Sequence, residues 1–293
     1  MDPGKQKGEK GMEGKKLVSD LPVWLPEIQI TRRKREQGFS MENAHSHPDY
    51  ELFYLISGTC RMFIGHSIYY VTAGDFIFVP PGQSHRTTYE SSPVAERVAI
   101  GFFEPVIGMM TAMCGEEGVE KVLNASKITI PPKYNACVEE LLQKMEEEEK
   151  RQDSYSRMMK AGKLLELLVL LGRAGERAGI PESLNETEAA IQEAANYLYS
   201  HYQEPLTLKG MAQMAHMSPA YFSKKFHRLT GFGFKEYLTH VRIQAAAEQL
   251  LSGKQSVTEV ALNCGYSDGN YFGDAFRKIK GMSPNQFRKK NQI

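Results

Sequence analysis

The sequence predicts an α+β, multidomain chain with a small β-barrel or sandwich in front, a helical layer behind it and an all-helical domain at the back. Three observations carry this. Short Tyr-, Phe-, Ile- and Val-rich runs follow one another closely between about Glu27 and Phe103, punctuated by Gly and Pro. Leucines then recur at helical spacing between Tyr134 and Arg177. The last third, from Glu188 onward, contains one pattern twice. A length of 293 residues suits about two domains, each with its own core.

The opening residues, Met1 to Lys16, are rich in Gly and Lys and lack an apolar segment. They do not read as a secretory leader, which needs one. Residues 1–24 are expected to be a disordered or tag-like arm. The barrel is expected over 25–133. Its strands fall on Glu51–Ser57, Cys60–Ile64, Ser67–Val71 and Phe76–Val79, separated by Gly58, Gly65, Gly74 and the cluster Pro80-Pro81-Gly82. Residues 134–175 are expected to hold two helices, one carrying Leu141, Leu142 and Met145, the other Leu164, Leu165, Leu167, Leu168 and Leu171. The run Glu146–Arg151 between them reads as solvated. This layer either covers the barrel or pairs two subunits. A linker over 176–187 follows, and 188–293 forms the back domain.

No run of about 18 apolar residues exists, so no membrane-spanning helix is expected. Cys60, Cys114, Cys137 and Cys264 form no CxxC pair. A disulfide framework or cysteine zinc site is therefore not expected, and a cytoplasmic setting is.

The repeat is specific. Leu208, Met211, Ala212, Ala215, Met217 and Ser218 align with Val257, Val260, Ala261, Cys264, Tyr266 and Ser267 at an offset of 49. After one inserted residue, Tyr221, Phe222, Phe226 and Gly231 align with Tyr271, Phe272, Phe276 and Gly281 at an offset of 50. In the first copy Thr207 caps one helix, and Ser218-Pro219 restarts the next. In the second, Ser256 and Glu259 form a capping box, and Gly265-Tyr266-Ser267 supplies the turn. Small residues at the crossing, a tight turn and an aromatic-anchored second helix describe a helix-turn-helix. The aromatics, including Tyr221 and Tyr271, read as core. The outer face of the first recognition helix offers Ala220, Ser223, Lys224, His227 and Arg228 to DNA. That of the second offers Asn270, Gly273, Asp274 and Arg277. The helix Lys235–Leu251 would be a rigid spacer, with Arg242 placed to pair with Asp268.

Charge agrees. The chain carries a net +1, but from Glu188 onward it holds 13 Lys+Arg against 8 Asp+Glu, a net of +5. The remainder holds 23 against 27, a net of −4. A basic back half fits a polyanion partner.

The stretch from about Ile191 to Lys290 resembles an AraC/XylS-type DNA-binding domain throughout. The resemblance lies in LTLKGMAQMAHMSPAYFSKKFHRLTG, the spacer FKEYLTHVRIQAAAEQLL, SVTEVALNCGYSDGNYFGDAFRKIKG and the ending Met282-Ser283-Pro284 with Phe287-Arg288. It implies two units entering successive major grooves on one face of a duplex, about 34 Å apart. The second recognition helix is poorer in basic residues than the family pattern.

In the front domain, His45-Ser46-His47-Pro48-Asp49-Tyr50-Glu51 is followed by Gly58, and Gly74-Asp75-Phe76 leads to Pro80-Pro81-Gly82-Gln83-Ser84-His85. Positions 45, 47 and 51 share parity, so on one strand they face one way. The two stretches resemble both signature motifs of the cupin family, which implies a cupin-like barrel with His45, His47, Glu51 and His85 converging inside it. Three readings of that pocket stand. It holds an organic effector, commonly a sugar in barrels attached to AraC-type domains, with Phe53 and Phe78 against ring carbons. It holds a divalent transition metal on His45, His47, Glu51 and His85. Or the histidines are structural.

The sequence thus predicts a non-enzymatic, cytoplasmic, homodimeric transcription regulator. Its partners would be double-stranded DNA, a small effector bound by His45, His47, Glu51, Phe53 and His85, and RNA polymerase if it activates. No cofactor beyond the metal alternative is expected. Effector binding would alter the pose of the DNA-binding domains through the linker near Gly175–Pro181. A metal-dependent cupin enzyme is the rival that the histidine set permits and the duplicated helix-turn-helix opposes.

Overall fold

The computed structural model describes residues 27–89, 92–177, 184–253 and 255–291. The arm expected over 1–24 lies outside them, as do positions 178–183 of the expected linker.

The front domain is built from two antiparallel sheets. Six strands lie in the order β1 (Gln29–Glu36), β7 (Val94–Phe102), β2 (Tyr50–Ser57), β5 (Asp75–Val79), β8 (Lys127–Thr129) and β9 (Glu176–Arg177). Three lie in the order β4 (Ser67–Thr72), β3 (Thr59–Ile64) and β6 (His85–Thr88). This is the sandwich-like form of the predicted barrel. The four runs picked from the sequence each become a strand, one residue longer at one end.

Parity along β2 and β7 divides the large sheet between two cores. Phe53 and Leu55 join Cys60, Met62, Val71, Ile77, Tyr89 and Ala95 between the sheets. Leu52, Tyr54, Phe76, Phe78, Val98 and Phe102 face the other way, against the helices. Both faces are apolar, so the alternation that would mark a half-exposed strand is masked. Phe78 therefore points away from the histidines, contrary to its expected place beside Phe53.

The helical layer consists of α1 (Glu104–Leu123), α2 (Asn135–Arg151) and α3 (Ser156–Ala174). Leu164, Leu167, Leu168 and Leu171 are almost wholly buried with the sheet residues, so this stripe is used inside the chain. The run Glu146–Arg151 is not a solvated connection but the last turns of α2. Within it Glu148 is buried and accepts from Ser156 Oγ, while Glu149 pairs with Lys160. Their charges hid a structural role. Helix α1 escaped the sequence pattern because its helical geometry breaks at Gly115, with φ at +74°. At the expected linker, Glu176 and Arg177 pair with Thr129 and Ile128, which ties the start of that segment to the sheet.

The back domain runs α4 (Glu186–Ser200), α5 (Leu208–Met214), α6 (Pro219–Thr230), α7 (Phe234–Leu251), α8 (Val257–Asn263), α9 (Gly269–Lys280) and α10 (Pro284–Asn291). The predicted caps all form. Gly210 N–H donates to Thr207 Oγ1, Tyr221 N–H to Ser218 Oγ, and Ser256 and Glu259 cap each other's backbone. Helices α6 and α9 end on Gly231 and Gly281, both left-handed.

The two repeats have separate cores. Phe222 and Phe226 pack with Met211, Ala212 and Tyr237. Phe272 and Phe276 pack with Val260, Ala261, Tyr266 and Leu250. Helix α7 belongs to both: its first half carries Tyr237 and Val241, its second Ile243, Ala247 and Leu250. It is thus a rigid spacer. Arg242 does not reach Asp268. It donates to the carbonyls of Tyr202 and Glu204 and lies against the Tyr266 ring, while Asp268 caps α9 through Asn270 N. Among the described residues no helix is long and apolar enough to cross a membrane.

The two domains are docked. The outer face of the small sheet places Phe63 and Ile68 in the core of the first helix-turn-helix. Gln192 on α4 accepts from Ile68 N–H and donates to His66 O, in the manner of a neighbouring strand. Tyr237 Oη donates to Gly65 O at 3.1 Å, and Arg61 pairs with Glu188 at 2.9 Å.

Candidate functional sites: paired recognition helices and a histidine pocket

On α6, Ala220, Lys224, His227 and Arg228 are exposed and Ser223 is half-buried. On α9, Asn270, Asp274 and Arg277 are exposed and Gly273 is half-buried. Each unit thus turns its expected reading face to solvent, because the phenylalanines at i and i+4 hold the opposite face in the core. The basic groups sit in the last turns, where they also suit the helix dipole.

The tyrosines correct the expectation. Tyr221 and Tyr271, predicted as core, are 45% and 62% exposed. They stand one turn from the N-cap at matching positions in the two repeats, next to the phenylalanines that are buried. Lys225 lies over the Tyr221 ring at 5.3 Å. Sequence reasoning therefore missed two aromatic donors on this surface. Their repetition at the offset of 50 was the available signal. On α9, Arg277 lies 3.8 Å from Asp274, and both are largely exposed, so the pair contributes little.

The histidine pocket forms differently from the parity argument. His45 and His47 precede β2 rather than lying on it; only Glu51 is on the strand. They reach the same place because His45 bridges His85 backbone to backbone, at 3.1 and 2.9 Å. The rings of His45 and His85 are 4.2 Å apart, and those of His47 and His85 are 5.0 Å apart. Candidate ligand nitrogens of all three lie within 4.8 Å of one another.

Two of the rings are oriented for this. His47 Nδ1 donates to Asp49 O at 2.9 Å, and His85 Nδ1 to Gln83 O at 3.1 Å. A carbonyl only accepts, so in the neutral ring each Nε2 keeps its lone pair. His47 Nε2 is buried without a hydrogen-bond partner of proper geometry, although Glu51 Oε2 lies 3.3 Å away. Burial drops the His85 pKa to about 4. The Glu51 carboxylate close to its Nε2 raises that of His47. The three imidazoles fit a divalent transition metal, whereas the expected fourth ligand, Glu51, does not join them within the same 4.8 Å.

Beside the histidines is a cavity of about 140 Å³, lined by His45, Glu51, Phe53 and His85 together with Arg35, Phe39, Met41, Thr87, Tyr89 and Arg97. Four of the five expected effector residues thus share its wall, and His47 adjoins it. The arginines and Tyr89 were not foreseen.

The pocket's wall also touches the first recognition helix. Arg86, next to His85, donates through Nη1 to the carbonyls of His227 and Arg228 at the end of α6. Its Nε and Nη2 hold Met41 O and Ser40 Oγ, at 2.7 and 2.8 Å. An arginine thus reaches last-turn carbonyls of a helix in another domain, sharing His227 O with Gly231 N–H.

A fold of this kind, with a small-ligand sandwich in front and paired helix-turn-helix units behind, is that of a ligand-responsive DNA-binding regulator. Residues 29–102 match the family model of the AraC-like ligand binding domain, and residues 211–290 match that of a helix-turn-helix domain. Together these stretches exceed half of the chain. The chain is 26% identical to the HTH-type transcriptional regulator YijO of Escherichia coli K12, over 74% of this chain and 73% of that protein. It is 30% identical to the Msm operon regulatory protein of Streptococcus mutans, over 47% of this chain and 50% of that one. It is 27% identical to the transcriptional activator RhaS of an Enterobacter strain, over 52% and 53%. Apart from YijO, the chain spans about half the length of these curated relatives. The chain belongs to the AraC family of DNA-binding transcriptional regulators and carries that family's N-terminal ligand-binding domain.

Proposed function

We propose that this regulator reads duplex DNA with α6 and α9 and is controlled by a small molecule in the pocket between the two sheets. The observation that carries the control is the shared wall: His85 faces the cavity, and the next residue, Arg86, holds the end of α6. A ligand that binds differently to two positions of β6 then biases two poses of the recognition helix.

On DNA, Ala220, Ser223, Lys224, His227 and Arg228 form the first reading set. Asn270, Gly273, Asp274 and Arg277 form the second, with Tyr221 and Tyr271 beside them as further donors to phosphate or base edges. The arrangement suits a cytoplasmic homodimer paired through the outer side of the helical layer, where Met113 and Met158 remain exposed. RNA polymerase is the further partner if it activates. The chain's relatives are regulators rather than enzymes, and the histidine set is read here as a sensor. A metal is the second reading of the pocket, favoured by the two oriented Nε2 lone pairs. It would be held by His45, His47 and His85, with Glu51 beside His47, and would offer an open coordination position to an effector.

The test is binding to a random-sequence duplex pool followed by selection. Lys224→Ala and Arg228→Ala should each weaken binding, and affinity should fall with salt at a slope near −0.9 per phosphate contact. Salt-insensitive binding, or none to any duplex, would refute the reading.

A further inference from the structure

The cavity beside the histidines contains two polar atoms that the fold leaves unused. On β7, Arg97 shares its face with Ala95 and pairs in register with Leu55 and Arg33. That face is turned between the sheets. Arg97 Nη1 is shut off from solvent and has no hydrogen-bond partner among the described residues. Tyr89 Oη, also fully buried, has no partner at proper hydrogen-bonding geometry either, although the Arg97 guanidinium lies beside it. Both side chains line the cavity. An unpaired buried hydroxyl is costly, and an unpaired guanidinium hydrogen more so. Native interiors rarely leave such groups unmet, and those that do so commonly serve a ligand.

The charge around them has a sign. Arg97 and Arg35 are cations on the lining, and among the described residues Glu51 is the one carboxylate there. The wall therefore holds about one positive charge in excess, next to apolar surface from Phe39, Met41 and Phe53. At about 30 Å³ for each water in the liquid, the cavity equals roughly five waters. That is enough for a compact organic acid.

We propose that the pocket takes a small organic carboxylate, with Arg97 and Tyr89 as the pair that recognises its charged end. The proposal rests on reading this pocket as the effector site. It replaces the expected sugar with an anion, since Glu51 is one charge against the two arginines on the lining. Arg97 offers the planar fork that a carboxylate matches, Tyr89 adds a hydroxyl donor, and the acid's carbon skeleton lies on Phe53 and Met41.

The test uses the full chain after chelator treatment, so that an anion held only by a metal does not register. Lactate, malonate, inorganic phosphate, lactamide and L-arabinose are titrated at constant ionic strength, with melting temperature and calorimetry as readouts. Lactate or malonate should raise the melting temperature, while lactamide and L-arabinose should not. Tyr89→Phe, which removes one oxygen, should weaken carboxylate binding by about tenfold or more, and Arg97→Met should abolish it. Arg97→Met must retain DNA binding to count as folded; if it does not, Arg97→Lys and Tyr89→Phe decide. Carboxylate binding that is absent, equal in all variants or matched by lactamide would overturn the proposal, as would phosphate as the sole binder. L-Arabinose binding that is lost in Phe53→Ala would overturn it while leaving the effector reading intact. Silence of every probe would overturn it too, and a ligand then found outside the cavity would remove the effector reading as well.

Discussion

Gly231 and Gly281 form an internal control for the docking of the two domains. Both end a recognition helix in the left-handed region, with φ of +82° and +74°. Alanine at either position carries a conformational cost of about 1–2 kcal/mol. Their surroundings differ. A Cβ on Gly281 meets nothing within 4 Å, whereas one on Gly231 would lie 2.4 Å from Arg86 Cδ and 2.7 Å from Ala44 N. The arginine can swing aside, although it then releases the α6 carbonyls. The backbone nitrogen of Ala44 cannot, so the loop or the whole front domain must move. Overpacking of this kind costs about 1–3 kcal/mol. Gly231→Ala should therefore destabilise the chain by about 1–3 kcal/mol more than Gly281→Ala in urea titrations followed by circular dichroism. Amide exchange at Met41 and His45, whose N–H groups bond to Thr87 and His85, should accelerate only in Gly231→Ala. Equal destabilisation within about 0.5 kcal/mol, with no change in exchange, would show that the docked pose is not the one in solution.

Phe222→Ala and Phe272→Ala remove nearly unexposed rings from separate cores, and each should cost about 3–5 kcal/mol in thermal or chemical unfolding. Burial lowers the His240 pKa from 6.5 to about 4 in the folded chain. Its contribution to stability is therefore complete above pH 6.5 and is lost as pH falls toward 4, by at most about 3 kcal/mol. His240→Gln should flatten the pH–stability curve in that window without levelling it, since His85 shifts in the same direction. On the metal reading, added nickel or zinc should raise the melting temperature of the wild type and not that of His85→Ala or His47→Ala. No rise in the wild type would leave the pocket to organic ligands alone.

Much of the architecture was legible along the chain. The strand runs, the caps at Thr207, Ser218 and Ser256, and the repeat of Phe222 and Phe226 in Phe272 and Phe276 follow from local chemistry. What misled was local evidence with a distant answer. Tyr271 has the composition of a core residue but stands largely exposed beside the Tyr266 ring. Arg242 looked across to Asp268, yet two nearer carbonyls and a tyrosine ring claimed it. Glu148, inside a charged run, is buried because Ser156 folds back over it.

The sequence by itself determined that there are two domains, that the second holds two helix-turn-helix units, and most of the residues those units turn outward, Tyr221 and Tyr271 excepted. Periodicity, capping and turn chemistry act within a few residues, so these features are written where they occur. Tertiary structure alone decided that His45 and His47 reach His85 from a loop, and that Phe78 faces the helices. It also decided that Arg97 and Tyr89 meet in one cavity and that Arg86 holds the end of α6. These depend on strand register and on the docking of one domain against the other. They bring together residues such as Met41 and Arg86, or Arg86 and His227, which are 45 and 141 positions apart, a distance over which local pattern carries no information.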